Sequence, residues 1–241
     1  MLSDQVKVDI AKASSAGGST FESKTYDVDI NNRHYVFHDT VGFDDATSTS
    51  LSPQEALNAL TQLMKKVEGG ISLLVYVHRG KISPSQIDNY KLFSNTICQS
   101  KVPTVLVVTG LEEVDSRDEW WEINKSLFNE RGMGNEYHAC ITSTKGSFNP
   151  KHKEYVYQDI YEESKQQLEA VFVEAALETP WKVPASYWKS MLVQVYNLFA
   201  AKFKWGPLGS SNIWPMVEMQ DGEKDVSRQR NLTCFRFIGE T

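Results

Sequence analysis

The chain has 241 residues, 41% hydrophobic and 23% charged, with a net charge of -6 at pH 7. That length can bury a substantial core in one large or two small domains. The acidic balance argues against nucleic acid as the main partner, because a phosphate backbone is met by a basic face.

Cys98, Cys140 and Cys234 lie far apart. They read as reduced, mostly core residues of an intracellular protein, with no paired spacing. No apolar run has membrane-spanning length, and the start MLSDQVKVDI lacks the basic and apolar segments of a secretory signal. A cytoplasmic location is expected.

Residues 1–24 are small and polar, with SSAGGS at 14–19, and predict an irregular loop. Two strands are expected at residues 25–30 and 34–39, joined through Asn31-Asn32 as a tight hairpin. Residues 53–67 predict a helix, with Pro53 near its start and Ala56, Leu60, Leu63 and Val67 at helical spacing. ISLLVYV at 71–77 is an apolar run of strand length, as found in strands buried on both faces of a parallel sheet.

The alternation then repeats. A helix at 83–100 opens with Ser83-Pro84, and a strand follows at 102–109. A helix at 118–131 is stopped by Gly132, a strand follows at 137–143, and a long amphipathic helix at 155–177. A hairpin followed by alternating helices and strands defines an α/β sheet with crossover helices. Beyond it, Tyr187, Met191, Leu192, Val195, Leu198 and Phe203 predict a helix at about 185–204. That stripe reads as a core or partner face, with a membrane-surface helix as the minority reading. Residues 206–225 read as a loop and 232–238 as a short strand.

Ligands in such folds sit at the carboxyl ends of the strands. There the sequence carries HDTVG at 38–42, HRG at 78–80, TGLE at 109–112 and TSTKG at 142–146. Asp-x-x-Gly alone is a weak signal. At a strand end, however, Asp39 can reach a Mg²⁺ through its water shell, and Gly42 allows a backbone N–H close to a phosphate. Thr20, ahead of the hairpin, stands where a second hydroxyl ligand would come from.

The order of these pieces resembles the G domain of P-loop GTPases. More specifically it resembles a fungal family of G domain-containing proteins, distantly similar to septin-like and immunity-associated GTPases. The segments carrying the resemblance are GSTFESKTYDVDI, HDTVGFDD, GGISLLVYVHRG, VPTVLVVTGLE, the WW of DEWWEIN, and YHACITSTKG. It covers the chain from Ser3 to about Leu177. It implies a G domain at residues 1–178, a three-layer sheet with flanking helices; residues 179–241 lie outside the resemblance and read, from their own spacing, as a C-terminal helical extension.

The resemblance also implies roles by position. Thr20 matches the threonine that reports on Mg²⁺ and the γ-phosphate, and Asp39 and Gly42 match the Asp-x-x-Gly switch. Thr109 and Glu112 fall in the base-reading segment, where GTPases carry Asn-Lys-x-Asp. Ser143, Thr144 and Lys145 fall in the Ser-Ala-Lys segment, whose backbone N–H contacts the base. The implied ligands are GTP and Mg²⁺, with Thr20 and Asp39 on the metal, and the implied protein contact is a partner or a second copy through the G-domain face. Glu112 is one methylene longer than the usual aspartate, and Gly110 has no side chain to lay on the base. Phe43 stands where some GTPases carry the glutamine that orients the attacking water, so GTP hydrolysis is left open.

The phosphate cradle G-x-x-x-x-G-K-[ST] is absent from the 241 residues. In a G domain its strand is central, between the strand ending at Asp39 and the one starting at Ile71. The expectation is therefore a sheet lacking that strand, with Tyr35 and Phe37 on one side and Leu73 and Val75 on the other deprived of a shared neighbour. Two functions stay open: a GTP-binding protein in an N-terminally incomplete form, or a nucleotide-free pseudo-GTPase acting as an interaction scaffold. His34 and His38, four residues apart on a strand, lie ~13 Å apart and cannot share a metal. His138 beside Cys140 reads as buried strand rather than as a metal site.

Overall fold

In the computed structural model, residues 24–41, 53–67, 69–203 and 230–236 are described. The chain opens with β1 (Lys24–Ile30) and β2 (Arg33–Val41), an antiparallel hairpin. Its turn residues Asn31 and Asn32 both have positive φ (49° and 60°), the conformation a tight primed turn requires. Then come α1 (Pro53–Lys66), β3 (Leu73–Arg79), α2 (Pro84–Lys91), β4 (Thr104–Thr109), α3 (Arg117–Glu130) and β5 (Tyr137–Cys140). A two-stranded flap of β6 (Phe148–Asn149) and β7 (Glu154–Tyr155) precedes α4 (Gln158–Ala175), α5 (Ala185–Phe203) and β8 (Arg230–Arg236).

Local chemistry accounts for the element starts. Ser83 caps α2 by accepting from the Gln86 N–H (3.2 Å), while the Gln86 side chain accepts from the Ser83 N–H (2.9 Å). Ser116 accepts from the Glu119 N–H at α3. The helix expected over 83–100 is regular only to Lys91. Leu92–Ile97 is π-helical, closed by the Cys98 N–H on the Phe93 carbonyl at 3.0 Å.

The six strands are ordered β1-β2-β8-β3-β4-β5. All neighbours except β1 and β2 run parallel. This corrects the sequence expectation of an incomplete sheet. The slot between β2 and β3 is filled by the last strand of the same chain. β8 pairs with β2 from Tyr35↔Arg230 to Val41↔Arg236 and with β3 from Leu73↔Leu232 to Val77↔Arg236. The physical reason is backbone satisfaction: without β8 the inner edges of β2 and β3 would present unpaired N–H and C=O groups. The same pairing carries β2 two residues past the expected end at Asp39, through Thr40 and Val41.

Strand alternation sends side chains into two cores. Leu74, Tyr76, Leu106, Val108 and Cys140 face one layer with Met64 of α1, Phe93, Trp121, Phe128 and Met191 of α5. Val75, Val105, Val107 and Ala139 face the other, with Phe37 of β2 and Leu168 and Phe172 of α4. The stripe on α5 (Met191, Leu192, Val195 and Tyr196) is buried in the first core, and the Tyr187 hydroxyl donates to the Thr96 carbonyl at 2.7 Å. The stripe read as a core or partner face thus packs into the core on the sheet. No described helix is long and apolar enough to cross a membrane.

The double pairing of β8 yields a prediction. Leu232→Pro removes a ladder donor from a strand bonded on both sides and leaves a buried acceptor unpaired, which should destabilise the chain by about 1–3 kcal/mol. Chemical denaturation checks this, and an unchanged midpoint would contradict the central position of β8.

Candidate functional site

The parallel strands β2, β3, β4 and β5 all deliver their carboxyl ends to one edge of the sheet. Asp39 lies two residues before the end of β2, level with Cys234 of β8. Thr109 ends β4, and Glu112 follows in a turn, half-buried. Residues 142–146 follow β5, with Ser143 and Thr144 exposed and Lys145 half-buried. The segments bearing Glu112 and Lys145 thus leave neighbouring strands, ~5 Å apart, whereas β2 and β4 are three strand spacings (~14 Å) apart. Thr20 and Gly42 lie outside the described residues, as do Phe43 and Asp44.

Hydrogen bonds fix several of these groups. The Thr109 hydroxyl donates to the His78 carbonyl at 3.3 Å, tying the ends of β4 and β3 together. The Thr144 hydroxyl accepts from the Gly146 N–H at 3.0 Å, a local turn. Lys145 reaches Glu162 at 3.6 Å and stands 4.9 Å over the Tyr161 ring, so its ammonium is held against α4. The Thr142 N–H donates to the Ser164 hydroxyl at 3.0 Å, and that hydroxyl donates to the Ile160 carbonyl at 2.5 Å. Gly146 has φ +73°, and a Cβ there would lie 2.6 Å from the Tyr157 ring, so only glycine fits. Tyr157 also contacts the Glu113 carboxylate.

Polar groups are buried near the same edge. Thr40 Oγ1, His78 Nδ1 and Thr142 Oγ1 have no hydrogen-bond partner among the described residues. His78 is buried and bonded through Nε2 to the Gly80 carbonyl at 2.9 Å. A carbonyl only accepts, so Nε2 carries the proton and Nδ1 is a bare acceptor. The ring stacks edge-on against Phe128 at 5.4 Å. Burial pushes the His78 pKa down, partly opposed by the Gly80 bond. Burial, with Lys66 next, pushes His38 down as well.

His138 lies flat on Trp121 at 4.0 Å, and burial pushes the Cys140 thiol up to about 12. Both are packing groups, as expected. Among the described residues there is no cluster of three or more His, Cys, Asp or Glu able to hold a metal. His34 bonds Asp29 at 3.0 Å and Asp27 at 3.1 Å on the exposed hairpin.

Two participants were not legible beforehand. Arg79 ends β3 and lies over Gly110, a contact between strands that local sequence does not reveal. Tyr157 lies against the 142–146 loop, its N–H bonded to the Lys145 carbonyl at 3.0 Å. The HRG tripeptide at a strand end was the only signal for the first. No family model matches the chain, and no curated protein matches it.

The buried histidine generates a prediction. A His whose pKa is lowered by folding binds its proton more readily in the unfolded chain, so stability rises with pH through the window below ~6.5 and falls on acidification. His78, His38 and His138 all act in this direction. His34, raised by its hydrogen bond to Asp29, opposes them. His78→Gln should therefore lose less stability between pH 7 and 5 than the wild type, measured by denaturation at each pH. An identical loss in both would contradict the assignment.

Proposed function

We propose that this chain is a guanine-nucleotide-binding protein of the G-domain type. The observation that carries the reading is the position of β8. With it, the strand order agrees with the resemblance noted above, and Asp39, the Thr109–Glu112 turn and the 142–146 loop share one carboxyl edge in the expected sequence. The ~14 Å between β2 and β4 suits a ligand with a base at one end and phosphates at the other.

In this reading Glu112 accepts the N–H groups on the guanine edge, and the backbone of Ser143, Thr144 and Lys145 lines the base. The binding of the 142–146 loop to Ser164 and Tyr157 pre-organises that wall. Asp39 is a hard carboxylate oxygen of the kind Mg²⁺ takes, and magnesium–nucleotide sites need only one or two carboxylates beside the phosphates. The donor set therefore fits the metal, with Thr20 as the second expected ligand. When bound, Mg²⁺ neutralises phosphate charge.

The phosphate cradle in this topology follows the central strand. Gly239 stands three residues past the end of β8, and the complete motif is not contained in the 241 residues. Phosphate affinity of this polypeptide should be weak, and base recognition should dominate. A second reading is an interaction scaffold without nucleotide. Titration separates the two. GTP should bind more weakly than micromolar yet at least ~10-fold better than ATP, and Glu112→Ala should remove that preference through the loss of a charge-assisted bond. Equal binding of both nucleotides would contradict guanine recognition, and no binding of either would leave the scaffold.

A further inference from the structure

By the resemblance noted above, Gly110 falls where a side chain would cover the base; in the structure Arg79 lies against it. The φ of Gly110 is +81°, a conformation L side chains rarely adopt. The space a side chain would enter is already taken by Arg79 of β3. A Cβ on residue 110 would lie 3.0 Å from Arg79 Nε, 3.1 Å from Cγ and 3.5 Å from Cδ. Arg79 is level with Thr109 in the parallel ladder, so its side chain crosses the end of β4 to reach the next residue. It is exposed, and its guanidinium makes no hydrogen bond or ion pair among the described residues.

We propose that Arg79 supplies the stacking surface for the nucleobase, with its guanidinium laid over Gly110 and against the purine face while Glu112 reads the edge. This rests on the nucleotide-binding reading above. A guanidinium is planar, delocalised and weakly hydrated, and it stacks on aromatic planes, whereas an ammonium is a strongly hydrated point charge. Glycine at 110 and arginine at 79 are therefore one arrangement. The absent side chain opens the space, and the neighbouring strand fills it with a flat cation. Stacking on a base is sequence-tolerant, so Arg79 contributes affinity and Glu112 contributes the choice of guanine.

The test uses the full chain and three ligands: GTP, guanosine and inorganic tripolyphosphate, which has no base. Arg79→Ala should weaken GTP and guanosine alike by about 10- to 100-fold and leave tripolyphosphate unchanged. Arg79→Lys keeps the charge but not the plane, so it should show most of the same loss. Gly110→Ala, which pushes a methyl into the Arg79 stem, should weaken guanosine in the same direction. Thermal melting checks that each variant is folded. If the wild type binds guanosine and Arg79→Ala binds it equally, the stacking role is overturned while the site stands. If Arg79→Lys restores binding, or tripolyphosphate weakens with GTP, Arg79 is a phosphate contact and the proposal is overturned. A wild type that binds neither GTP nor guanosine refutes the site and the stacking role together.

Discussion

The structure depends on one strand bonded on both sides. β8 joins a hairpin, β1 and β2, to a parallel unit of β3, β4 and β5, and no direct pairing links the two parts. Remove it, and two inner edges lose their hydrogen-bond partners in the middle of the sheet, where water cannot replace them. The order also follows from it. With β8 in place, β2 runs on to Val41 and its carboxyl end comes level with that of β8. The chain therefore places its last described strand at the centre of its sheet, so the pairing that joins the two parts of the sheet is among the most distant in sequence. Such non-local pairing is slow to form, because loop-closure entropy precedes its reward.

The two faces of the sheet are filled largely by apolar packing, and several buried polar groups gather at the carboxyl edge. Thr40, His78 and Thr142 keep unpartnered polar atoms there among the described residues. Around them the loops are tied down: Thr109 to the β3 carbonyl, the Thr142 N–H to Ser164, Gly146 beneath Tyr157. A rigid scaffold carrying polar loops at one end is the arrangement in which binding sites are commonly built.

Much of this was legible in the sequence because its signals are local. Continuous apolar runs marked β3, β4 and β5. Asn31-Asn32 marked the hairpin, and Ser83-Pro84 marked the start of α2, where the capping box was found. The π-helical end of α2 was not legible, since its apolar spacing also fits a regular helix. The sequence suggested a strand at 232–238, and the structure has β8 at Arg230–Arg236, but its partners could not be read. Parallel pairing with β2 and β3 is a property of the whole chain, and nothing in NLTCFRF names them. For the same reason the apolar stripe of α5 was legible as a core or partner face, but not the layer it packs into. At the site, Asp39, Glu112 and Lys145 were found as residue types at strand ends. The contact of Arg79 with Gly110 joins residues 31 positions apart and carries no local signal. Thr20 and Gly42 fall outside the described residues.

The guanine site proposed above lies at the carboxyl edge between β4 and β5. Peptide-resolved hydrogen exchange of the whole chain with saturating Mg²⁺ and GTP, compared with Mg²⁺ and ATP, tests it most directly. The account predicts slowed exchange at residues 109–112 and 142–146 with GTP, and little change there with ATP. Protection confined to other regions, or the same protection from both nucleotides, would contradict it.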